Sequence, residues 1–553
     1  MQVCRLSSGI AVAAAALWTH GIFTHAHAAD TPKINGPDNL QNDAVSFAFL
    51  LKDLGLNTTT RSTLQQQYKD AQSSLLPGPA TAEVGCITAQ WLLGEAQVDL
   101  EPLNQTSVDL NWSQTCRQRP RCIIQPRDAA DVSVSIRIIS SAGIKFAVRS
   151  GGHSPNPGSS SIGQDGILID LSRLRTVALS KDRSFARVGP GLRWAEVYAA
   201  LDPEKTVVVG GRLPTVGVGG LLLGGGYFFV SNEVGLACDN VKNFEVVLSN
   251  GTIVNANAAG AHSDLFWALK GGGPNFGIVT GYDLYTVPDV YEVWGEILVF
   301  HPDQALDVLD AFAEWQQSGA KTDIKSHTAL DISLDAVVLG LLYSSPHEIS
   351  TRPAAFAPFA KLTPLQVALP PINTTFASVS QLLAVAFPAT DARHDYRGAS
   401  SRPDGPLTKQ VYTFWRQEAL AARQATGVTQ SFAIQHVTDN LALLGKKRGG
   451  NPLDVPRGGL QWWTTLVSWE GSAADDEAAR SVSIATSRKW KELGGPRGLH
   501  VPFLYMNDAS RDQNPLGSYG QGSVARLKRV SAKYDGLQVF QRLQNGGFLL
   551  NRA

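Results

Sequence analysis

Between residues 149 and 273 the chain sets five glycine clusters in a row: Arg149-Ser-Gly-Gly-His153, Gly189-Pro-Gly191, Gly217-Val-Gly-Gly220, Gly224-Gly-Gly226 and Gly271-Gly-Gly273. Glycine admits positive φ and lets backbone N–H groups come close to a ligand, which a pyrophosphate requires. One cluster alone is ordinary turn chemistry. Several within one domain point to a phosphate cradle. The common cradles do not fit. A G-x-G-x-x-G pattern from Gly217 would need glycine where Leu222 stands, and no G-x-x-x-x-G-K-[ST] occurs. H-E-x-x-H, paired C-x-x-C and G-x-S-x-G patterns are also absent, so metalloprotease and α/β-hydrolase chemistry fall away and no metal is expected.

Around the clusters the texture is mixed. From Cys122 the texture changes: Ile123 and Ile124 suit a short strand, and Pro126 ends it. Asp128 caps a helix through Ile139 on which Val132, Ile136 and Ile139 recur at helical spacing. Lys145–Arg149, Ile167–Leu171, Phe185–Val188 and Thr206–Val209 read as strands and Trp194–Leu201 as a helix. Phe244–Val254 reads as a hairpin turning at Asn250-Gly251. After about Val290 the glycine clusters stop, and alternating runs such as Ser431–Val437 and Trp462–Trp469 suit a separate antiparallel sheet covered by helices. On those runs Gln435 and Trp463 are pocket candidates, although the sequence does not say which parity faces inward.

Lys+Arg and Asp+Glu balance at 48 each, so no global field favours nucleic acid or an anionic membrane, and a small, roughly neutral substrate is expected. At the N-terminus, Arg5 precedes an apolar stretch ending in Ala-His-Ala-Ala. It reads as a secretory signal cut near Ala28 or Ala29, because His20, His25 and His27 interrupt the run too early for a membrane span. Sequons at Asn57, Asn104, Asn111, Asn250 and Asn373 are open to glycosylation on that route. Cys86, Cys116, Cys122 and Cys238 remain after cleavage. One disulfide is plausible among them, and the pairing stays open.

The clusters in order, with Gly189-Pro-Gly191-x-x-Trp194, Cys238-Asp-Asn-Val241 and Gly271-Gly-Gly-x-Asn-Phe-Gly-Ile-Val-Thr280, resemble the FAD-binding domain of the vanillyl-alcohol oxidase superfamily. Within it the match is to the berberine-bridge-enzyme-like group, particularly fungal secreted members. The likeness is dense over about 120–290 and looser from Tyr505.

This resemblance implies an α+β, two-domain vanillyl-alcohol oxidase (PCMH-type) fold. Its parts are a signal peptide (1–29), an N-terminal extension packed on the FAD domain (30–117), the FAD-binding domain (118–290), the substrate domain (291–499) and a C-terminal segment returning to the FAD domain (500–553). It implies FAD bonded covalently through His153 and bound by Arg149, Ser150, Gly151, Gly152, Gly158, Gly217, Gly219, Gly220, Gly225, Ile278 and Asn507. Some relatives add a second link through Cys in G-x-C-P-x-V-G-V-G-G. Here Leu213 stands at that place, so a single link is expected and an oligosaccharide oxidase is disfavoured.

Tyr505-Met-Asn507 resembles the family's C-terminal Tyr-x-Asn motif, but Asp508 follows where many plant members have a second Tyr. Asp508 is therefore either a base or an ordinary surface carboxylate, and Tyr505, Asp508 and Gln435 are the catalytic candidates. The implied activity is oxidation of a small alcohol or amine, a secondary metabolite, by hydride transfer to flavin N5 with reoxidation by dioxygen. A carbohydrate oxidase and a non-catalytic flavin-binding glycoprotein are the alternatives. The expected protein is a secreted monomer or homodimer.

Overall fold

The computed structural model describes residues 40–386 and 390–553, so the signal segment lies outside the described residues. Three sheets organise the described residues. The first comprises β1 (Val98–Asp99), β2 (Cys122–Ile124), β3 (Lys145–Arg149) and β4 (Gly166–Asp170), in the order β1-β2-β4-β3. β2 and β3 each run parallel to β4, so the helix Ala129–Ala142 is the crossover that parallel pairing demands. Asp128 caps it by accepting from Asp131 N–H at 2.9 Å, and Val132, Ile136 and Ile139 are fully buried, as their spacing requires.

The second sheet holds β5 (Val177–Leu179), β6 (Phe185–Val188), β7 (Val241–Val247), β8 (Ile253–Asn257) and β9 (Ile278–Tyr285), in the order β5-β6-β9-β7-β8. The β7–β8 hairpin turns at Asn250-Gly251, with Gly251 at φ +84°. One sequence expectation fails. Thr206–Val209 is not a strand, because only Val208 bridges, to Thr286. The chain instead wraps over the buried Trp194 indole, against which a Cβ on Gly210 or Gly211 would collide.

The third sheet starts at Glu292 and is antiparallel throughout. It contains β10 (Glu292–Phe300), β11 (Ser326–Ser333), β12 (Val337–Ser344), β13 (Gln366–Thr375), β14 (Arg393–Ser401), β15 (Thr429–Val437), β16 (Leu460–Trp469) and β17 (His500–Val501), ordered β13-β10-β12-β11-β15-β16-β14-β17. The helices Ala305–Gln317, Gly405–Thr426 and Asp476–Gly494 cover one face, burying Trp315, Trp415 and Trp490 with Phe432 and Trp463. The other face is left for the site.

Residues before 117 are more structured than their sequence suggested. Helices Thr58–Gln72 and Pro77–Leu93 share a core with the first sheet, and Cys86 of the second helix forms a disulfide with Cys122 of β2. Cys116 and Cys238 are free and buried. The tail returns to the first two sheets: Asn545 N–H donates to Phe146 O at 2.8 Å, and Asn275 Nδ2 donates to Phe548 O at 2.9 Å.

At the end of β3, Arg149 pairs in register with Asp170 of β4. Its guanidinium meets the Asp170 carboxylate at 2.6 Å, both side chains being 1% exposed, and also donates to Ser107 O at 2.7 Å. Removing one member leaves the other charge buried and uncompensated, which costs far more than a surface pair. Asp170→Ala should lower unfolding stability by about 3–5 kcal/mol, measured by denaturant unfolding of the flavin-loaded protein. A loss under 1 kcal/mol would show that the pair does not hold this corner.

Candidate functional site

A cavity of about 510 Å³ is lined by the glycine loops and by the open face of the third sheet. β3 leads into Ser150-Gly-Gly-His153. There the backbones of Gly151 and Gly217 touch so closely that a Cβ on either would overlap the other's main chain. Only glycine fits at both positions. Ser150 fastens the junction, donating to Pro190 O and accepting from Gly219 N–H at 3.1 Å. Gly152 sits at φ +65°, and its carbonyl accepts from Trp112 N–H at 2.9 Å, which brings the N-terminal segment to the site.

His153 is half-buried in the cavity wall. Its Nε2 lies 3.1 Å from Thr215 Oγ1, and its ring stacks on Trp112 with centroids 4.5 Å apart and planes 10° apart. The other face of Trp112 stacks on His394 at 4.0 Å, so one indole separates two imidazoles. Burial, aided by the Arg193 charge, pushes His153 down to about 3, and burial also lowers His394. Both rings are neutral at physiological pH, and His153 keeps an uncharged, nucleophilic nitrogen.

On the sheet side, alternation decides which residues face inward. Ser431, Ala433 and Gln435 of β15 and Thr464 and Leu466 of β16 line the cavity. Trp463 points the other way and stacks on Phe432 at 3.8 Å, so the pocket role considered for Trp463 is withdrawn. Asp508 is the focus of this wall. Its Oδ2 accepts from Gln435 Nε2 and from Thr464 Oγ1, each at 2.6 Å, while Arg212 donates to Gln435 Oε1 at 2.7 Å. Burial raises the Asp508 carboxyl against these donors and the Arg212 charge.

Tyr396 and Tyr505 flank this group. Burial, then the neighbouring Asp508 charge, pushes both phenols far above their ordinary value. Tyr505 stacks on Trp462 at 4.6 Å, and its hydroxyl accepts from Asn507 Nδ2 at 3.0 Å.

Ser150, Gly151, Gly152, His153, Gly217, Gly219, Gly220, Ile278, Gln435, Tyr505, Asn507 and Asp508 therefore line one cavity. Three expected cofactor residues do not. Arg149 is engaged below the loop with Asp170, Gly158 packs at φ +82° against Asn545, and Gly225 packs at φ +120° against Leu453 and Tyr505. Their glycine or charge serves the loops rather than the wall. Sequence reasoning missed Arg212, Thr215, Tyr396, Thr464 and Trp112. Arg212 and Thr215 lay inside a motif already in hand, and Thr464 follows from Gln435 once the inward parity is known. Trp112 carries no local signal.

A family model described as "FAD binding domain" matches residues 120–257. An FAD-dependent monooxygenase of Arthrobotrys oligospora is 34% identical over 513 residues, 92% of this chain and 96% of its own. The chain belongs to a family of FAD-dependent oxidoreductases that carry this domain. Among solved structures, the xylooligosaccharide oxidase of Myceliophthora thermophila superposes with a TM-score of 0.70 at 21% identity, covering 84% of this chain and 99% of that one. A glucooligosaccharide oxidase of Acremonium strictum, whose FAD is described as 6-S-cysteinyl, 8α-N1-histidyl, gives 0.68 at 19% identity over 83% and 97%. At such identity these structures show the fold.

The cavity of this flavoenzyme fits FAD on its own terms. Two glycine loops line it with bare backbone, and a Cβ at Gly220 would meet nothing within 4 Å. Ser150 to His153 and Gly217 to Gly220 are the residues that would hold the cofactor. Among the described residues no group of three or more His, Cys, Asp or Glu is placed to hold a metal, and no helix is long and apolar enough to cross a membrane.

Proposed function

We propose that this oxidoreductase oxidises a small, mostly apolar alcohol or amine, with FAD bonded to His153 and with Asp508 as the base that accepts the substrate proton. The observation that carries this reading is Asp508: a carboxylate in the wall of the flavin cavity, anchored through Oδ2 by two donors, while Oδ1 has no hydrogen-bond donor among the described residues. When bound, FAD would supply a hydride acceptor for the substrate carbon, regenerated by dioxygen. Asp508 takes the proton from the substrate oxygen or nitrogen, and burial brings its affinity for that proton nearer the working pH. Arg212 orients Gln435, and Gln435 with Thr464 orients Asp508. Ile297, Val338, Leu383 and Leu466 give the wall an apolar share that suits a mostly apolar substrate better than a carbohydrate. The base and its supports speak against a carrier that merely retains flavin.

Attachment through His153 is supported by its neutral ring and by Thr215, which engages Nε2 and fixes how the ring is turned in the cavity wall. Leu213 lines the cavity where a second, cysteinyl link would arise. Wild-type flavin should therefore precipitate with acid-denatured chain, and His153→Ala should release it to the supernatant. Peptide mass spectrometry should find flavin on His153 alone. Freely extractable wild-type flavin, or any flavin–cysteine peptide, would overturn this assignment.

Asp508→Asn should slow anaerobic flavin bleaching by about 10²–10⁴-fold at saturating substrate while FAD content is kept. In the wild type the rate should fall as pH drops through the Asp508 pKa, because only the ionised form accepts a proton. That midpoint should lie above the ordinary carboxylate value, since burial raises it. A change under threefold in stopped-flow reduction would move the base elsewhere.

Secretion belongs to the same reading, supported by the leader sequence, the Cys86–Cys122 disulfide and the exposed Asn57, Asn104, Asn250 and Asn373. Asn111 is excluded as a glycan acceptor, because it is 1% exposed and its Nδ2 donates to Cys116 O at 2.7 Å. Protein secreted by a fungal host should begin near Ala29 or Asp30 and carry glycans at some of the four exposed sequons only. A chain retained in the cell with Met1 intact would sink the secretory reading.

A further inference from the structure

The open face of the third sheet carries a second carboxylate that the catalytic arrangement does not use. Asp331 of β11 lines the cavity between its register partners, Val338 of β12 and Ala433 of β15. Its hydrogen bond is from Ser431 Oγ, at 3.3 Å, and it makes no ion pair among the described residues. Asp508 offers a contrast inside the same cavity, with two donors at 2.6 Å and Arg212 beside them. A carboxylate walled by apolar side chains is costly unless something compensates its charge. The chain supplies Asp331 with one long hydroxyl contact.

Register fixes its place relative to the reacting end. Asp331 is paired with Ala433, and Ala433 with Thr464, the residue whose hydroxyl holds Asp508. Two strand spacings put the backbone at Asp331 about 10 Å from that at Thr464. Between them lies Ala433, a side chain too small to fill the gap. The cavity thus has carboxylates at two stations along one row, joined by apolar floor.

We propose that Asp331 is the specificity-determining anchor for a protonated amine of the substrate, held about 10 Å across the sheet from Thr464, whose hydroxyl holds Asp508. The assignment rests on the reading of this cavity as the site of small-molecule oxidation and adds its substrate class: an apolar molecule with a cationic nitrogen at one end and an oxidisable C–H at the other. A hydroxyl would give Asp331 a hydrogen bond but leave its charge uncompensated. Burial raises this carboxyl to about 6, so it is ionised at neutral pH, when a cation is worth most to it.

The test uses flavin-loaded protein and a matched pair of probes, 4-(3-dimethylaminopropyl)benzyl alcohol and its carbon isostere 4-(4-methylpentyl)benzyl alcohol. Calorimetric titration at neutral pH should show the amine binding the wild type tenfold or more tightly than the isostere, the scale of a charge-assisted hydrogen bond, about 1.5–3 kcal/mol. Asp331→Asn, and Asp331→Ser as a second variant, should abolish that preference while retaining flavin. An amine with no advantage in the wild type, including no binding of either probe, or an advantage that survives both variants, overturns the proposal. Flavin bleaching separates the two readings. Preference for the amine without bleaching by any alcohol or amine would sink the oxidation reading alone. Bleaching by neutral alcohols with no amine preference would sink the anchor alone.

Discussion

The site depends on one backbone contact, that of Gly151 with Gly217. It joins the loop leaving β3 to the turn preceding the helix Val218–Leu223 at a separation no Cβ permits. Everything useful on the flavin side hangs from that junction. Two residues after Gly151 comes His153, and two before Gly217 comes Thr215, so the close approach of the glycines is what brings Thr215 Oγ1 to within 3.1 Å of His153 Nε2. Arg212 and Leu213 reach the cavity wall from the same turn. The flanking Arg149–Asp170 pair acts below it, fixing where the loop begins.

The substrate side is held by a different device, a charged network under the C-terminal loop. Asp395 and Arg397 of β14 face away from the cavity. Asp395 meets Arg480 at 3.0 Å and accepts from Ser510 Oγ at 2.8 Å, while Arg397 meets Asp512 at 2.8 Å. Gln513 closes the set by bonding both backbone groups of Gly398, at 3.1 and 2.7 Å. By strand alternation Tyr396, between Asp395 and Arg397, points into the cavity. One strand thus supplies the wall with one parity and clamps the loop bearing Asp508 with the other.

What the sequence disclosed follows chain distance. The cradle was legible because Arg149 to His153 and Gly211 to Gly220 are continuous motifs whose glycines have a local cause. The hairpin at Asn250-Gly251 and the helix capped by Asp128 were legible for the same reason. Thr206–Val209 misled because β-branched residues there serve a wrap over Trp194 rather than a ladder. The substrate wall was legible only as a period. Alternation marked Gln435 and Trp463 as candidates, but choosing between them requires knowing which face the helices cover. Trp112, His394 and Asp331 were beyond reach, because each acquires its role by stacking or strand register with residues far away in the chain.

The Arg212–Gln435–Asp508 chain has a direction that chemistry imposes. Arginine only donates, and an ionised carboxylate only accepts. An amide between them must therefore turn its oxygen to Arg212 and its nitrogen to Asp508, so the Gln435 orientation follows from its neighbours. A carboxylate at position 435 would face Asp508 with like charge and drive one of the two to hold its proton. Glutamine avoids that competition while still passing the orienting influence of Arg212 across the strand. Asp508 then feels opposing pressures, burial raising its proton affinity and Thr464, Arg212 and Gln435 lowering it. The base role proposed for Asp508 needs that balance, since a carboxylate freely solvated would hold the substrate proton too weakly and one buried without donors would not ionise.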